Sequence, residues 1–135
     1  MAELSNDPVM NIIYAGIKEG VRVTVENKCF GSAIILVYSG IDAMAYLNMP
    51  EHQERVIGKN FIEWVDSYMI FPRGACISGI DLYGARCGMV HTYSSFSDLS
   101  ERGDCKVIGY VDKNIPEISY NPEHSDTLLT DLHIV

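Results

Sequence analysis

The chain has 135 residues, of which 47% are hydrophobic and 21% charged, and its formal net charge is -8. These values suit one globular domain with a buried core. The acidic balance argues against general nucleic-acid binding, which needs a broad basic surface. The N-terminus lacks the basic segment of a secretion signal, and no run of 18 apolar residues occurs, so we expect a cytoplasmic protein without a membrane span.

The first half of the chain predicts two helices. Asn6-Asp7-Pro8 predicts a helix start, because an acidic cap precedes a proline in the first turn. Apolar residues at steps of three and four continue this helix from Val9 to Val25, and Asn27-Lys28 ends it. The stretch from Phe30 to Leu47 is apolar almost all round, which predicts a helix buried in the core or at a dimer contact. A buried strand over residues 33–38 is the alternative.

A third helix is predicted from Gln53 to Ile70, where the apolar residues again follow a helical period. Glu63 and Asp66 lie three residues apart on a polar face of this helix. They are therefore candidates to pair with a cation that a neighbouring helix brings close.

A fourth helix is predicted from Gly79 to about Tyr93. Ser78 and Asp81 have the spacing of a capping box, in which each side chain bonds to the backbone of the other. The residues that follow, 94–98, predict a loop.

The last third of the chain changes character. Residues 106–111 predict a strand, residues 112–116 a turn, and residues 117–120 a short returning strand. Residues 126–135 fit either a strand or the start of a helix. The chain stops on apolar residues with no cap or charged tail, so we expect that the native protein extends further.

The cysteines do not predict a metal site. Cys29, Cys76, Cys87 and Cys105 form no C-x2-C pair, which a zinc site normally requires. We therefore expect reduced thiols, no bound metal and no cofactor.

The most informative residues are Arg86, His91 and Tyr93, within the fourth predicted helix. Burying an arginine or a histidine is costly unless it is paired. A guanidinium binds phosphate through a fork of donors, and an imidazole exchanges protons near neutral pH. A structural interpretation stands beside the catalytic one: Arg86 pairs with Glu63 or Asp66, His91 ends the helix, and Tyr93 is part of the core.

The spacing of Arg86 and His91 does not place them on one face of a regular helix. Residues seven apart, such as Arg86 and Tyr93, fall about 20° apart around a helix, whereas Arg86 and His91 diverge by roughly 140°. Three explanations are open: a helix distorted near Gly84 and Gly88, a histidine at the helix C-terminus, or a site completed by a second chain.

The sequence Arg86-x4-His91-x-Tyr93 resembles the R-x4-6-H motif of HEPN domains, and more narrowly the R-x4-H-x-Y form of HEPN toxins paired with nucleotidyltransferase antitoxins. The resemblance covers roughly residues 30–95. It implies a mainly α fold, a HEPN-like bundle of about four helices, here followed by a short β-like appendage. The expected organisation is a single domain, 1–135, with a helical core to residue 95 and a tail over 106–135.

The resemblance also implies a function. HEPN toxins are metal-independent endoribonucleases whose site usually lies at a homodimer interface. Arg86 and His91 would then be catalytic, Glu63 or Asp66 would orient them, and Tyr93 would be a target for a partner nucleotidyltransferase. Cys87 departs from the pattern, because many HEPN domains carry a polar residue such as Asn after the arginine.

Two functions therefore remain in view. The first is an RNA-cleaving toxin or defence component, which the eight residues from Arg86 to Tyr93 favour. The second is a non-catalytic dimeric helical module for binding or scaffolding, which the net charge and Cys87 favour.

Overall fold

The computed structural model describes residues 6–71, 77–111 and 127–131, and it is mainly helical, as predicted. Contacts divide the chain into two compact units, Met1–Val56 and Ile57–Val135. Each unit has its own packing. The organisation of the whole chain as one domain stays a prediction.

The first unit begins with a helical run in three parts. These are α1 (Pro8–Asn11), a π-helical segment (Ile12–Lys18) and α2 (Glu19–Glu26). The predicted start is confirmed, because the Asp7 carboxylate accepts a hydrogen bond from the Val9 N–H at 2.9 Å. That bond satisfies one of the backbone donors that a helix leaves unpaired at its N-terminus.

The π-helical segment corrects the expectation of one regular α-helix. A π turn takes in an extra residue, so it rotates the apolar stripe away from its α-helical line. Ile12 is exposed, whereas Val21, in α2, is buried.

Helix α3 spans Phe30–Leu47, with the bounds that the sequence predicts, and packs against α2. About a third of it, 33%, is buried within the single chain, and Val37, Tyr46 and Leu47 are exposed, so their burial at a dimer contact stays a prediction. It is also the one helix in the described part of the chain that is long and apolar enough to cross a membrane. Core helices of soluble proteins pass the same test, so the expectation of a protein without a membrane span stays a prediction.

The second unit begins with α4, Gly58–Tyr68, which is shorter at both ends than the predicted helix. The start moves because the Asn60 side chain accepts a hydrogen bond from the Ile57 N–H at 2.9 Å and so fixes the first turn there. The buried side chains Phe61 and Val65 face the core of this unit.

Helix α5, Gly79–Thr92, packs against α4, and the rings of Phe61 and Tyr83 lie 5.5 Å apart between centroids. A short helix α6, Asp98–Glu101, follows. The capping box predicted from Ser78 is present at the start of α5.

The β-like tail contains two parallel strands, β1 (Val107–Val111) and β2 (Thr127–Asp131), with Val107 opposite Thr127. The strand over 106–111 is thus confirmed, and the segment after 126 is a strand. Cys76, the turn over 112–116, the strand over 117–120 and the chain end lie outside the described residues. Strand β1 packs on α5, and its Ile108 is fully buried.

Asp81 connects these elements through hydrogen bonds. The residue is buried, with only 4% of its surface exposed. One oxygen, Oδ2, accepts from the N–H of Ser78 at 3.0 Å and from its hydroxyl at 2.9 Å. The other, Oδ1, accepts from the N–H of Lys106 at 2.8 Å, so the start of α5 and the start of β1 share one buried acid.

We predict that Asp81→Asn lowers the free energy of unfolding by roughly 3 kcal/mol, because the amide must turn its NH2 group towards a buried N–H donor. Urea denaturation measures this loss. Asp104→Asn is the matched control, since Asp104 is exposed and its carboxylate forms a surface pair with Arg102 at 3.1 Å. Equal midpoints for wild type and Asp81→Asn would show that the carboxylate does not hold the two elements together.

Candidate functional site

Helix α5 carries the candidate residues, and both of its ends are fixed. At its start, the N–H of Gly79 donates to Asp66 Oδ1 at 2.6 Å, which ties the helix to α4. At its end, Tyr93 adopts a left-handed conformation with φ 54°, and its N–H donates to the carbonyl of Met89 at 3.1 Å. The side chains between these ends therefore project from a well-anchored element.

Arg86 and His91 meet within one chain. Arg86 Nη1 lies 3.3 Å from His91 Nε2. Helix α5 is continuous through Gly84 and Gly88, and His91 lies in its last turn. Of the three explanations that the spacing leaves open, a position at the helix C-terminus is the one seen, because the long arginine side chain reaches across the intervening surface.

A guanidinium only donates hydrogen bonds, so Nε2 of His91 is the acceptor in a hydrogen bond between the two side chains. Arg86 is half-buried and His91 is exposed. The pair thus presents a permanent cation and a proton acceptor together at the surface, which suits an anionic ligand that carries a removable proton.

Tyr93 lies at the surface, with 63% of the residue exposed. The structural interpretation of Tyr93 as a core residue is therefore wrong, because the helix ends one residue before it and the core does not extend there. Its proposed role as a target of modification stays a prediction.

Cys87 is half-buried and lies close to Cys105, the residue that precedes β1 by two positions. Burial raises the pKa of the Cys105 thiol, and the carboxylates of Asp81 and Asp104 raise it further. A hydrogen bond with Ser97 acts in the opposite direction but is the smallest of these causes, so Cys105 stays protonated at neutral pH.

The two candidate supporting acids have other partners. Glu63 Oε1 lies 3.4 Å from Lys59 Nζ in an exposed pair along α4, and Asp66 anchors the start of α5. A pairing of either acid with Arg86 stays a prediction. The structure thus brings Arg86 and His91 together and gives Asp66 an architectural role that sequence reasoning did not assign.

The loop after α5 folds back onto the helix, a feature that the sequence analysis missed. The N–H of Ser94 donates to the carbonyl of Gly88 at 3.2 Å. A Cβ atom at Gly88 would lie 2.5 Å from the Ser94 carbonyl oxygen and 2.6 Å from that of Phe96. On the same helix, a Cβ at Gly84 would overlap the sulfur of Cys105. A glycine inside an otherwise helical pattern is the sequence signal that can indicate such a close approach.

A cavity of about 550 Å³ lies at the opposite end of α5 from His91. Its polar lining includes Ser78, Asp81 and Lys106, and the Asp81 carboxylate is already engaged by backbone and hydroxyl donors. The cavity therefore belongs to the junction of α5 and β1, whereas the Arg86–His91 pair lies on a separate surface. Among the described residues, no group of three His, Cys, Asp or Glu side chains could hold a metal ion.

Comparison with known families, curated proteins and solved structures finds no match to this chain. The resemblance to HEPN domains therefore rests on the motif from Arg86 to Tyr93 and on the order of the helices.

We predict that Gly88→Ala lowers the free energy of unfolding by roughly 1–3 kcal/mol, because the added methyl group collides with backbone carbonyls that have little freedom to move. Gly16→Ala is the matched control: its Cβ meets nothing within 4 Å, and alanine is the better helix former. Thermal or urea denaturation should show the two substitutions shifting stability in opposite directions. A stabilised Gly88→Ala variant would mean that the loop is not held against the helix.

Proposed function

We propose that this protein is a HEPN-like, metal-independent endoribonuclease that uses Arg86 and His91. The observation that carries the proposal is the 3.3 Å contact between Arg86 Nη1 and His91 Nε2 on the surface of α5. It supports the proposal because phosphodiester cleavage needs a proton acceptor beside a group that stabilises charge on phosphate.

In the proposed reaction, the phosphodiester binds to the guanidinium of Arg86 and draws it away from His91. The freed Nε2 takes the proton of the 2′-hydroxyl while the 2′-oxygen attacks phosphorus. The bond to the 5′-oxygen breaks, that oxygen takes a proton from solvent water, and the imidazolium of His91 returns its proton to the solvent. Arg86 stabilises the charge on the pentacoordinate phosphorus. The products are a 2′,3′-cyclic phosphate and a 5′-hydroxyl.

We further propose that the protein acts as a homodimer in the cytoplasm, as a toxin or defence component, with Glu63 or Asp66 supporting Arg86. Closed two-fold pairing is the commonest assembly of soluble proteins, and α3 leaves Val37, Tyr46 and Leu47 exposed for such a contact. If sedimentation at micromolar concentration shows a monomer, the dimer is contradicted. The proposed chemistry of Arg86 and His91 is not tested by that result.

A non-catalytic binding module is the second candidate. The observation that favours it is the formal net charge of -8, which weakens the attraction for any polyanion. The two candidates differ in what the Arg86–His91 pair does to RNA.

We predict that Arg86→Ala slows RNA cleavage about 100- to 1,000-fold and that His91→Ala slows it about 100- to 10,000-fold, because each removes one element of the reaction. Arg86→Lys should retain part of the activity, since it keeps the charge without the fork of donors. Cleavage of a labelled oligoribonucleotide, with and without EDTA, measures these effects.

The control for these variants is Arg102→Ala, which removes the same charge from an exposed arginine of the same unit. It should cleave at the wild-type rate, and EDTA should change no rate. Full activity in Arg86→Ala, or activity lost on chelation and restored by a divalent ion, would leave the binding module as the better proposal.

Tyr93 is proposed as the target of a nucleotidyltransferase antitoxin. In that reaction, the tyrosine oxygen attacks the α-phosphorus of a nucleoside triphosphate and releases pyrophosphate. The bound nucleotide adds negative charge and bulk beside Arg86, so it should exclude RNA. The exposed side chain supports access for such an enzyme.

We predict that co-expression with a nucleotidyltransferase antitoxin raises the mass of the protein by one nucleoside monophosphate and suppresses cleavage. Intact-mass spectrometry measures the addition. Tyr93→Phe is the control, because it removes the accepting oxygen and keeps the ring. An unchanged mass for the wild type, or an equal gain in Tyr93→Phe, would rule out this role for Tyr93.

A further inference from the structure

The side chain of Cys105 packs directly against α5. A Cβ atom at Gly84 would lie 2.2 Å from the sulfur of Cys105 and 3.5 Å from its Cβ atom, so the thiol fills the space of a side chain at Gly84. Cys87 follows Gly84 by three residues in the same helix. Both cysteines are free thiols and half-buried. The segment before β1 thus brings a second thiol to the part of α5 that carries Cys87.

Helix geometry sets an upper limit on the separation of the two thiols. Cβ atoms three residues apart on an α-helix lie about 5–6 Å from each other. The sulfur of Cys105 therefore lies at most about 8 Å from the Cβ atom of Cys87, and the two cysteine Cβ atoms lie at most about 10 Å apart. A disulfide holds Cβ atoms about 3.8 Å apart. Even at this limit, only a local shift of the segment before β1 is needed for a bond.

The electrostatics and the local backbone both favour that approach. Cys87 is one of the groups whose charge raises the pKa of the Cys105 thiol, an effect that weakens with distance. Residues 101–104, just before Cys105, are exposed, and Gly103 among them imposes little steric restriction on the backbone. On the other side, the bond from the Lys106 N–H to Asp81 keeps Cys105 beside α5.

We propose that Cys87 and Cys105 form a reversible disulfide bond when the protein meets hydrogen peroxide, and that this bond locks the end of α5 and the loop after it. The chain between the two cysteines contains His91, Tyr93 and the loop that folds over Gly88, and the bond closes all of them into one covalent ring. Disulfides in the cytosol are usually transient and sense oxidants. The inference does not depend on RNA cleavage, and it adds a modification site to the chain.

The first step of the oxidation falls to Cys87. The thiolate is the reactive form of a cysteine, and Cys105 stays protonated at neutral pH. The Cys87 sulfur gives its proton to solvent and attacks one oxygen of the peroxide. The O–O bond breaks, and the hydroxide that leaves takes up a proton to become water. The product at Cys87 is a sulfenic acid.

Cys105 completes the reaction. Its sulfur releases its proton and attacks the sulfenic sulfur of Cys87, so that the S–S bond forms and the S–O bond breaks. The oxygen leaves as a second water. Two thiols lose two electrons in total, and one peroxide is reduced to two waters.

The test treats the reduced protein with hydrogen peroxide and follows it by intact-mass spectrometry and non-reducing peptide mapping. We expect the mass to fall by two hydrogen atoms and a linked peptide pair to contain Cys87 and Cys105, and dithiothreitol should reverse both changes. Cys87→Ser and Cys105→Ser should each form no such link. Cys29→Ser is the matched control, because it removes an exposed thiol of the other unit and should be oxidised as the wild type is.

Thermal denaturation measures the locking of the helix end. The bond closes a loop of roughly 15–20 residues, so oxidation should raise the melting temperature by at least about 5 °C. The increase should vanish on reduction. It should be absent from Cys87→Ser and Cys105→Ser and present in Cys29→Ser.

The outcomes separate this inference from the proposed function. Oxidation that stops at a sulfenic or sulfinic acid, or a disulfide that involves Cys29 or Cys76, would overturn the proposed pair. A bond between Cys87 and Cys105 that leaves the melting temperature unchanged would overturn the locking of the helix end. None of these results bears on RNA cleavage, and an inactive protein that still forms the bond would overturn the nuclease alone.

Discussion

The packing of the second unit depends on one buried carboxylate. Asp81 is surrounded by three donors, two from Ser78 and one from Lys106, and a buried acid without them would be strongly unfavourable. The same bonds fix where α5 starts and where β1 begins beneath it. Because α5 is a rigid rod, fixing its start also fixes the direction of the residues at its far end. The position of the Arg86–His91 pair therefore depends on the hydrogen bonds of Asp81, which take no part in the chemistry of the pair.

Local patterns explain which parts of this structure the sequence predicts. The bounds of α3 and the capping box of α5 depend on residues a few positions apart, and both are confirmed. The parallel pairing of β1 with β2 and the bond from Lys106 to Asp81 join residues twenty or more positions apart, and no periodicity encodes them. The π-helical segment was not predicted for another reason. Its apolar residues recur at the steps of three and four that are typical of an α-helix, but its backbone is π-helical.

The contact between Arg86 and His91 shows what a helical wheel leaves out. A wheel gives the direction in which a side chain leaves the helix, and on that measure the two residues diverge by roughly 140°. It does not give reach, and the arginine side chain extends several bonds beyond its Cβ atom. The sequence therefore predicted the two residues of the candidate site but not their meeting in a single chain. Likewise, the close approach of the Phe96 carbonyl to Gly88 depends on tertiary packing, which a helical wheel does not show.

An acidic protein constrains how any RNA site on it can work. Affinity from phosphate contacts grows with the number of phosphates neutralised, and each contact to a single strand contributes a salt dependence of about -0.7 in log–log slope. A site centred on Arg86 should therefore show a shallow slope, because the rest of a chain with a net charge of -8 offers little further attraction. Affinity that does exist must then come from contacts that salt does not screen, such as stacking on exposed rings. A steep salt dependence would instead require a basic surface assembled from more than one chain, and the location of the site would then depend on the dimer rather than on α5 alone.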